Sequence, residues 1–239
     1  MSNNKTAGAW ILAVGLFLGL SALGYLLGQA AIRFKEYERT VTVKGLSERE
    51  YPADIVIWPI QFTTASNNLG SLYEDLERSA GQIRTYLLTA GVEENEISMS
   101  VPLITDKAAQ QYGDNSNAEF RYLAVQTVTV YSANVDRVRQ LMGGLVGLGK
   151  QGIVFSGDEY QNKVEYLFTR LNEVKPGMIE EATMAAREIG MKFADDSKSK
   201  LGKIRSASQG QFSIEPRDTN NPHIKKIRVV STVEYYLSD

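Results

Sequence analysis

Three adjacent carboxylate pairs, Glu93-Glu94, Glu180-Glu181 and Asp195-Asp196, are the residues that most invite an acid/base reading. General acid–base chemistry needs groups within hydrogen-bond reach of one reacting atom. Helical neighbours point in different directions, so adjacency in sequence alone brings no two carboxylates together. Asp54 follows Pro52 at the start of a strand, where a short carboxylate bonds the backbone of a turn. The single histidine, His223, lies in the polar stretch Asp218 to Lys226 and reads as a plain surface residue. Cysteine is absent, which removes disulfides, thiolate metal sites and thiol nucleophiles. A multi-histidine zinc site is closed off too, and a Ser-His-Asp triad has only that loop histidine to draw on. Gly143-Gly144-Leu-Val-Gly147 lacks the Lys-Ser/Thr ending of a phosphate loop and falls inside a helical pattern. Lys225-Lys226-Ile-Arg228 is a short basic patch that reads as a solvated strand end. The expectation is no catalytic residue, no cofactor and no metal: a protein that is not an enzyme.

Charge and length narrow the partners. The net charge is -2, from 26 basic and 28 acidic residues, which gives no electrostatic footprint for nucleic acid. Absence of cysteine fits an oxidising compartment. Outside its first segment the chain is long enough for one large domain or two small ones.

From Thr6 to Ile32 there is no charged side chain. A helix needs about 20 apolar residues to cross a hydrocarbon core of about 30 Å, and no later stretch is that long. Residues 1–36 therefore read as an N-terminal membrane anchor with its flanks, and 37–239 as the body. A rival reading is a cleaved signal peptide: Lys5 gives a basic start, and Gly28-Gln29-Ala30 resembles a small-x-small cleavage site. A signal's apolar region is usually about 7–15 residues, shorter than the run Ala7 to Leu27. Arg33, Lys35 and Arg39 after the run would by simple count keep the body inside, but long domains translocate largely regardless of charge. Gly15 and Gly19, and Gly24 and Gly28, put small residues one turn apart, a spacing that allows close helix–helix approach in lipid.

The body alternates strand and helix patterns. Val41, Val43 and Gly45 open a short strand, and Ile55 to Thr64 is a second, with Pro59 marking an edge or a bulge. Asn67 or Asn68 caps a helix whose apolar face is Leu69, Leu72, Tyr73, Leu76, Ala80, Ile83 and Leu87, with Gly91 as its stop. One strand carries Ile97, Met99, Val101 and Leu103; a polar loop, Asp106 to Asn117, precedes a strand from Phe120 to Tyr131. A middle helix spans about 134–149, lined by Val135, Val138, Leu141, Leu145 and Leu148 and weakened by its glycines. A second long strand segment, Ile153 to Arg170, breaks near Ser156-Gly157-Asp158. The helix Asn172 to Phe193 follows, with Pro176 in its first turn and a stripe of Met178, Ala182, Ala185, Ile189 and Phe193. Strands Leu201 to Ile214 and Ile227 to Leu237 flank a polar loop, Glu215 to Lys226. Phe62-Thr63 and Phe168-Thr169 precede the two long helices, and the strands at Val125 and Val230 read alike. This order predicts an α+β body of two strand-helix-strand-strand units with mixed or antiparallel sheets, as pseudo-repeat halves 50–131 and 152–237.

Val41-Thr-Val-Lys-Gly45 followed by Tyr51-Pro-Ala-Asp54 resembles the opening of bacterial SIMPL-domain proteins, which include the YggE-type oxidative-stress defence proteins and related periplasmic immunogenic antigens. Leu171-Asn172, Ala182-x-x-Ala185-Ala186-Arg187, Leu201-Gly202-Lys203-Ile204 and the closing strand from Ile227 to Leu237 continue the resemblance in order, over about residues 40–237. It implies a mixed α/β fold, an extracytoplasmic place and assembly into large homo-oligomeric rings. It offers no catalytic residue to carry over. Many members have a cleavable signal, whereas this chain reads as keeping an anchor.

The functional expectation is a membrane-anchored, non-enzymatic ring or scaffold of the cell envelope, linked to stress. Its anchor sits in the inner membrane and its body on the periplasmic side. Its partners are the lipid bilayer and more than four copies of itself, with no nucleic acid. The alternatives are an accessory subunit that binds another envelope protein, and an enzyme with a site the sequence does not display.

Overall fold

The computed structural model describes residues 3–36, 39–109, 119–156 and 162–238. Most of the polar loop expected after Asp106, and the strand break expected at Gly157-Asp158, lie outside the described residues. The fold is α+β, and the strand pairs below are antiparallel. The chain divides into two compact units: Met1–Arg49 with Val174–Ser213 and Arg228–Asp239, and Glu50–Glu173 with Ile214–Ile227.

The Glu50–Glu173 unit is built on β2 (Ile55–Ser66), which buries Val56, Trp58, Ile60 and Phe62 as every second side chain. β3 (Ile97–Met99), β4 (Leu103–Asp106) and β5 (Tyr122–Ser132) lie on one side of β2; β6 (Val154–Phe155) and β7 (Glu165–Leu167) lie on the other. β2 is an interior strand, yet at Pro59 it has a described partner on the β5 side only, so the edge expected there holds locally. The ladder to β7 ends at Ile57 and the ladder to β6 begins at Phe62, so the proline lacks its N–H where no described strand asks for one. The strand expected through Val101 is split into β3 and β4. Pro102 cannot donate, and Ser100 instead hooks β5, its N–H reaching the Thr127 carbonyl at 2.9 Å and its hydroxyl accepting from Thr127 N–H at 3.1 Å.

α2 (Leu69–Thr89) covers this sheet with Leu72, Leu76, Ala80, Ile83 and Leu87. Leu69 and Tyr73, expected on the same face, stand about 43% and 44% exposed. Asn68 caps the helix, its side chain accepting from Ser71 N–H at 3.1 Å, and Gly91 ends it with φ +86°. The expected middle helix breaks into α3 (Val135–Met142) and α4 (Leu145–Gly149) at Gly143-Gly144. The Tyr86 hydroxyl, donating to the Leu141 carbonyl at 2.8 Å, occupies the space a Cβ on Gly144 would need.

In the other unit, α1 (Asn3–Glu36) is one continuous helix. β1 (Thr40–Pro52), β10 (Ile224–Ser238) and β8 (Lys200–Gln209) form a sheet in that order; β9 (Ser213–Pro216), which falls mostly with the Glu50–Glu173 unit, pairs with β10. β1 is 13 residues long, not the short strand expected. α5 (Leu171–Asp196) buries Met178, Ala182, Ala186, Gly190 and Ala194. The expected stripe through Ala185, Ile189 and Phe193 is therefore rotated by one position, leaving Phe193 55% exposed. The cause is close approach: Gly45 on β1 sits against the backbone of Ala182 and Ala186, and only small residues at i, i+4 intervals let the helix come so near. Pro176 is the sixth residue of α5, beyond the first turn, so the helix forgoes one i→i−4 bond there.

Candidate functional site

Among the described residues the longest exposed element is α1. Its described side chains are exposed, and the window Ala13–Ala30 has a mean hydropathy of 1.6 with none of it buried. That helix is long and apolar enough to cross a membrane, as an anchor or as a signal sequence would. A Cβ added at Gly15, Gly19, Gly24 or Gly28 would meet nothing within 4 Å. At about 100° per residue, the first pair lies about 180° around the helix from the second. The same arithmetic places Ala22 and Leu26 on the face of Gly15 and Gly19, and Ala13, Phe17 and Leu20 on the face of Gly24 and Gly28. Each face thus has a glycine hollow in one half and a large side chain in the other. Phe17 and Leu26 stand 69% and 65% exposed.

Asp54 organises the turn between β1 and β2. Its carboxylate accepts from Thr169 N–H at 2.8 Å and from the Thr169 hydroxyl at 2.8 Å, and Arg170 Nε lies 3.4 Å away. Burial pushes this carboxyl up, but the two Thr169 bonds and the Arg170 charge outweigh it and hold Asp54 below its usual range. The residue bonds a backbone turn, as its place in the sequence implied. Arg170 also lies over the Phe168 ring, which stacks on Tyr51.

The surface reading of His223 is corrected. Its ring is half-buried and meets Tyr166 edge-on, with centroids 6.1 Å apart and an interplanar angle of 62°. Its Nδ1 is enclosed with no hydrogen-bond partner among the described residues. Burial first, then Arg139, push the imidazole below its ordinary 6.5. Lys225, expected at a solvated strand end, is 8% exposed, and burial with help from Lys163 lowers its pKa against the pull of Glu165. For Lys225 the alternation of β10 held the clue: counting back by twos from Val233 through Val229 and Ile227 reaches it on the inward face, whereas His223 lies in the turn just before the strand.

The carboxylate pairs do not converge. Glu94 pairs with Arg84, while Glu93 opens a short turn in which Glu96 accepts the Glu93 N–H at 2.9 Å. Glu181 accepts from the buried Ser47 hydroxyl and from Arg49, each at 2.9 Å, and these bonds hold it below its usual range. An open groove of about 400 Å³ runs past Glu181, with Glu180, Glu188, Met184 and Arg49 around it. A second open cleft, about 650 Å³, lies between α2 and α4, where Arg78, Gln82, Thr85 and Gln151 surround Tyr86. The Glu181 carboxyl is held down by its bonds and burial pushes the Tyr86 hydroxyl up, each away from neutral pH. Among the described residues no three His, Asp or Glu side chains are grouped to hold a metal ion.

No curated protein matches the chain. A family profile does, and it spans both units and every strand from β1 to β10: over residues 41–234 the match is to SIMPL, described as a protein of unknown function (DUF541), and the chain belongs to that family.

Proposed function

We propose that this protein is a membrane-anchored scaffold of the bacterial cell envelope, held by α1 in the inner membrane with its body on the periplasmic side. It assembles from more than four copies of itself and carries no enzymatic activity; its family resemblance links it to stress defence. The observation that carries this reading is the pair of opposite faces on α1. The hollow at Gly15 and Gly19 lies at the depth of Phe17 on the opposite face, and the hollow at Gly24 and Gly28 lies at the depth of Leu26. Helices side by side and in the same direction therefore offer bulge to hollow at both depths when the two unlike faces meet. Such unlike-face contact continues from copy to copy and gives a ring where the rotation between copies closes, whereas like-face contact stops at a pair. β8 supports contacts by the body: it is a sheet edge whose only described neighbour is β10, and most of its side chains are exposed.

Mass photometry of the full-length protein in mild detergent tests the reading. A uniform assembly above four copies is expected, and Gly19→Leu or Gly24→Leu should each weaken it. A monomer would overturn it. Co-purification of a different membrane protein in fixed ratio would favour an accessory subunit instead. A mature N-terminus at Ala31 would remove the anchor.

A further inference from the structure

We propose that His223 is an acid-released latch that holds the loop between β9 and β10 against the turn between β1 and β2. The loop is stiff on its own side. Asp218 accepts from the backbone N–H of Asn220 and Asn221 at 2.9 and 2.8 Å, and Arg217 N–H bonds the Ile224 carbonyl at 2.8 Å. It meets the rest of its unit through His223 and through Arg217, which reaches Glu50 at 3.6 Å. The His223 carbonyl accepts the Ala53 N–H at 2.7 Å, and the ring seats on Tyr166 of β7.

This seat accepts a neutral ring only. A protonated imidazole carries N–H on both nitrogens, and the enclosed Nδ1 has no acceptor among the described residues to give it to. The charged groups that face the ring are Arg139 and Asp136 from α3 and Arg217 and Asp218 from the loop, with Tyr166 from β7. Both carboxylates are already engaged: Asp136 lies 3.6 Å from Arg139, and Asp218 2.8 Å from Arg217, which also reaches Glu50 at 3.6 Å. A new cation there gains two like charges and no free counter-charge. Leaving the seat solves both problems, and the Ala53 bond goes with it.

The closed state thus keeps its full weight above the open-ring value near 6.5 and loses it as pH falls toward the lower closed-state value. Within that window the closed-to-open ratio drops about tenfold per pH unit. The test uses the full chain in detergent micelles with carbon-13-labelled histidine, where one histidine gives one unambiguous imidazole signal. Protection of the Ala53 amide, corrected for intrinsic exchange, is followed beside it. The expected result is an imidazole midpoint below 6.5 with Ala53 protection falling in the same window. In His223→Gln the protection should stay flat across that window. A midpoint at or above 6.5, protection that ignores the titration, or an equal fall in His223→Gln would overturn the latch. The first two readouts need no variant, so the proposal stays testable if the substitution unfolds the chain.

Discussion

Gly45→Ala is the sharpest test of how α5 is seated on its sheet. A Cβ on Gly45 would overlap the carbonyl oxygen of Ala182 and the amide nitrogen of Ala186. Both are backbone atoms in the middle of a 26-residue helix, so no rotamer change relieves the clash. α5 must retreat by on the order of 1 Å in an interior packed like an organic crystal. Overpacking that a side chain can absorb costs about 1–3 kcal/mol, so a backbone clash belongs at or above about 3 kcal/mol. Gly190→Ala on the same helix is the control. There the nearest atoms are the Leu201 methyls at 3.3 and 3.4 Å, which can give way. The helix gains up to about 1 kcal/mol of propensity in exchange, so that variant should be neutral or slightly stabilised. Urea unfolding of the full-length variants in detergent, followed by circular dichroism, reads the difference. Ala182→Gly should not rescue Gly45→Ala, because the offending atom is the Ala182 backbone oxygen. A Gly45→Ala protein within about 0.5 kcal/mol of the parent would refute this account of the helix seat.

Ile83→Ala should cost about 2–5 kcal/mol in urea unfolding, since Ile83 is fully buried between α2 and the sheet. Asp54→Asn should lower stability at neutral pH and erase part of the acid dependence. The carboxyl is held low in the folded state, so its contribution is present above about pH 4 and is lost as pH falls through the folded value. Unfolding midpoints of both proteins should converge at low pH, and parallel curves would count against the Thr169 bonds. Lys225→Met should stabilise by on the order of 1 kcal/mol at pH 7, because a buried ammonium is replaced by an apolar stem of similar length. Lys225 has a lowered folded pKa, so the gain should shrink at alkaline pH, where the lysine is neutral in both states.

The α+β class, the apolar N-terminal helix and the capped start of α2 were legible because each rests on local chemistry: alternation, an uncharged run, and Asn68 before an apolar periodic stretch. The inward face of α5 was not. Its sequence offers two interleaved stripes, and periodicity favours the bulkier one through Ile189 and Phe193. The choice was made by a glycine more than a hundred residues away, which admits only the alanine stripe. Pro59 was readable only in part, since it marks a local gap in an otherwise interior strand. A proline rules out an N–H in a ladder but does not say which side of the strand lacks a partner. Lys225 was hidden by composition, since a polar stretch reads as a loop even where the strand's alternation continues through it, and His223 sits in a true loop whose packing on Tyr166 is a tertiary contact. The Asp54 turn was readable in kind, yet its partner, Thr169, was set by tertiary contact.

The length of α1 bears on where in a membrane the proposed anchor would reside. As a helix, the uncharged run from Thr6 to Ile32 measures about 40 Å, roughly 10 Å more than an average hydrocarbon core. Tilt, a kink or local thickening of the bilayer must absorb that surplus, at a fraction of a kcal/mol for each ångström. Once many copies stand together, their individual surpluses add. An assembly would then gather thicker lipid around itself, or settle in regions already thick, and bilayer thickness would act as an address that no single copy could read.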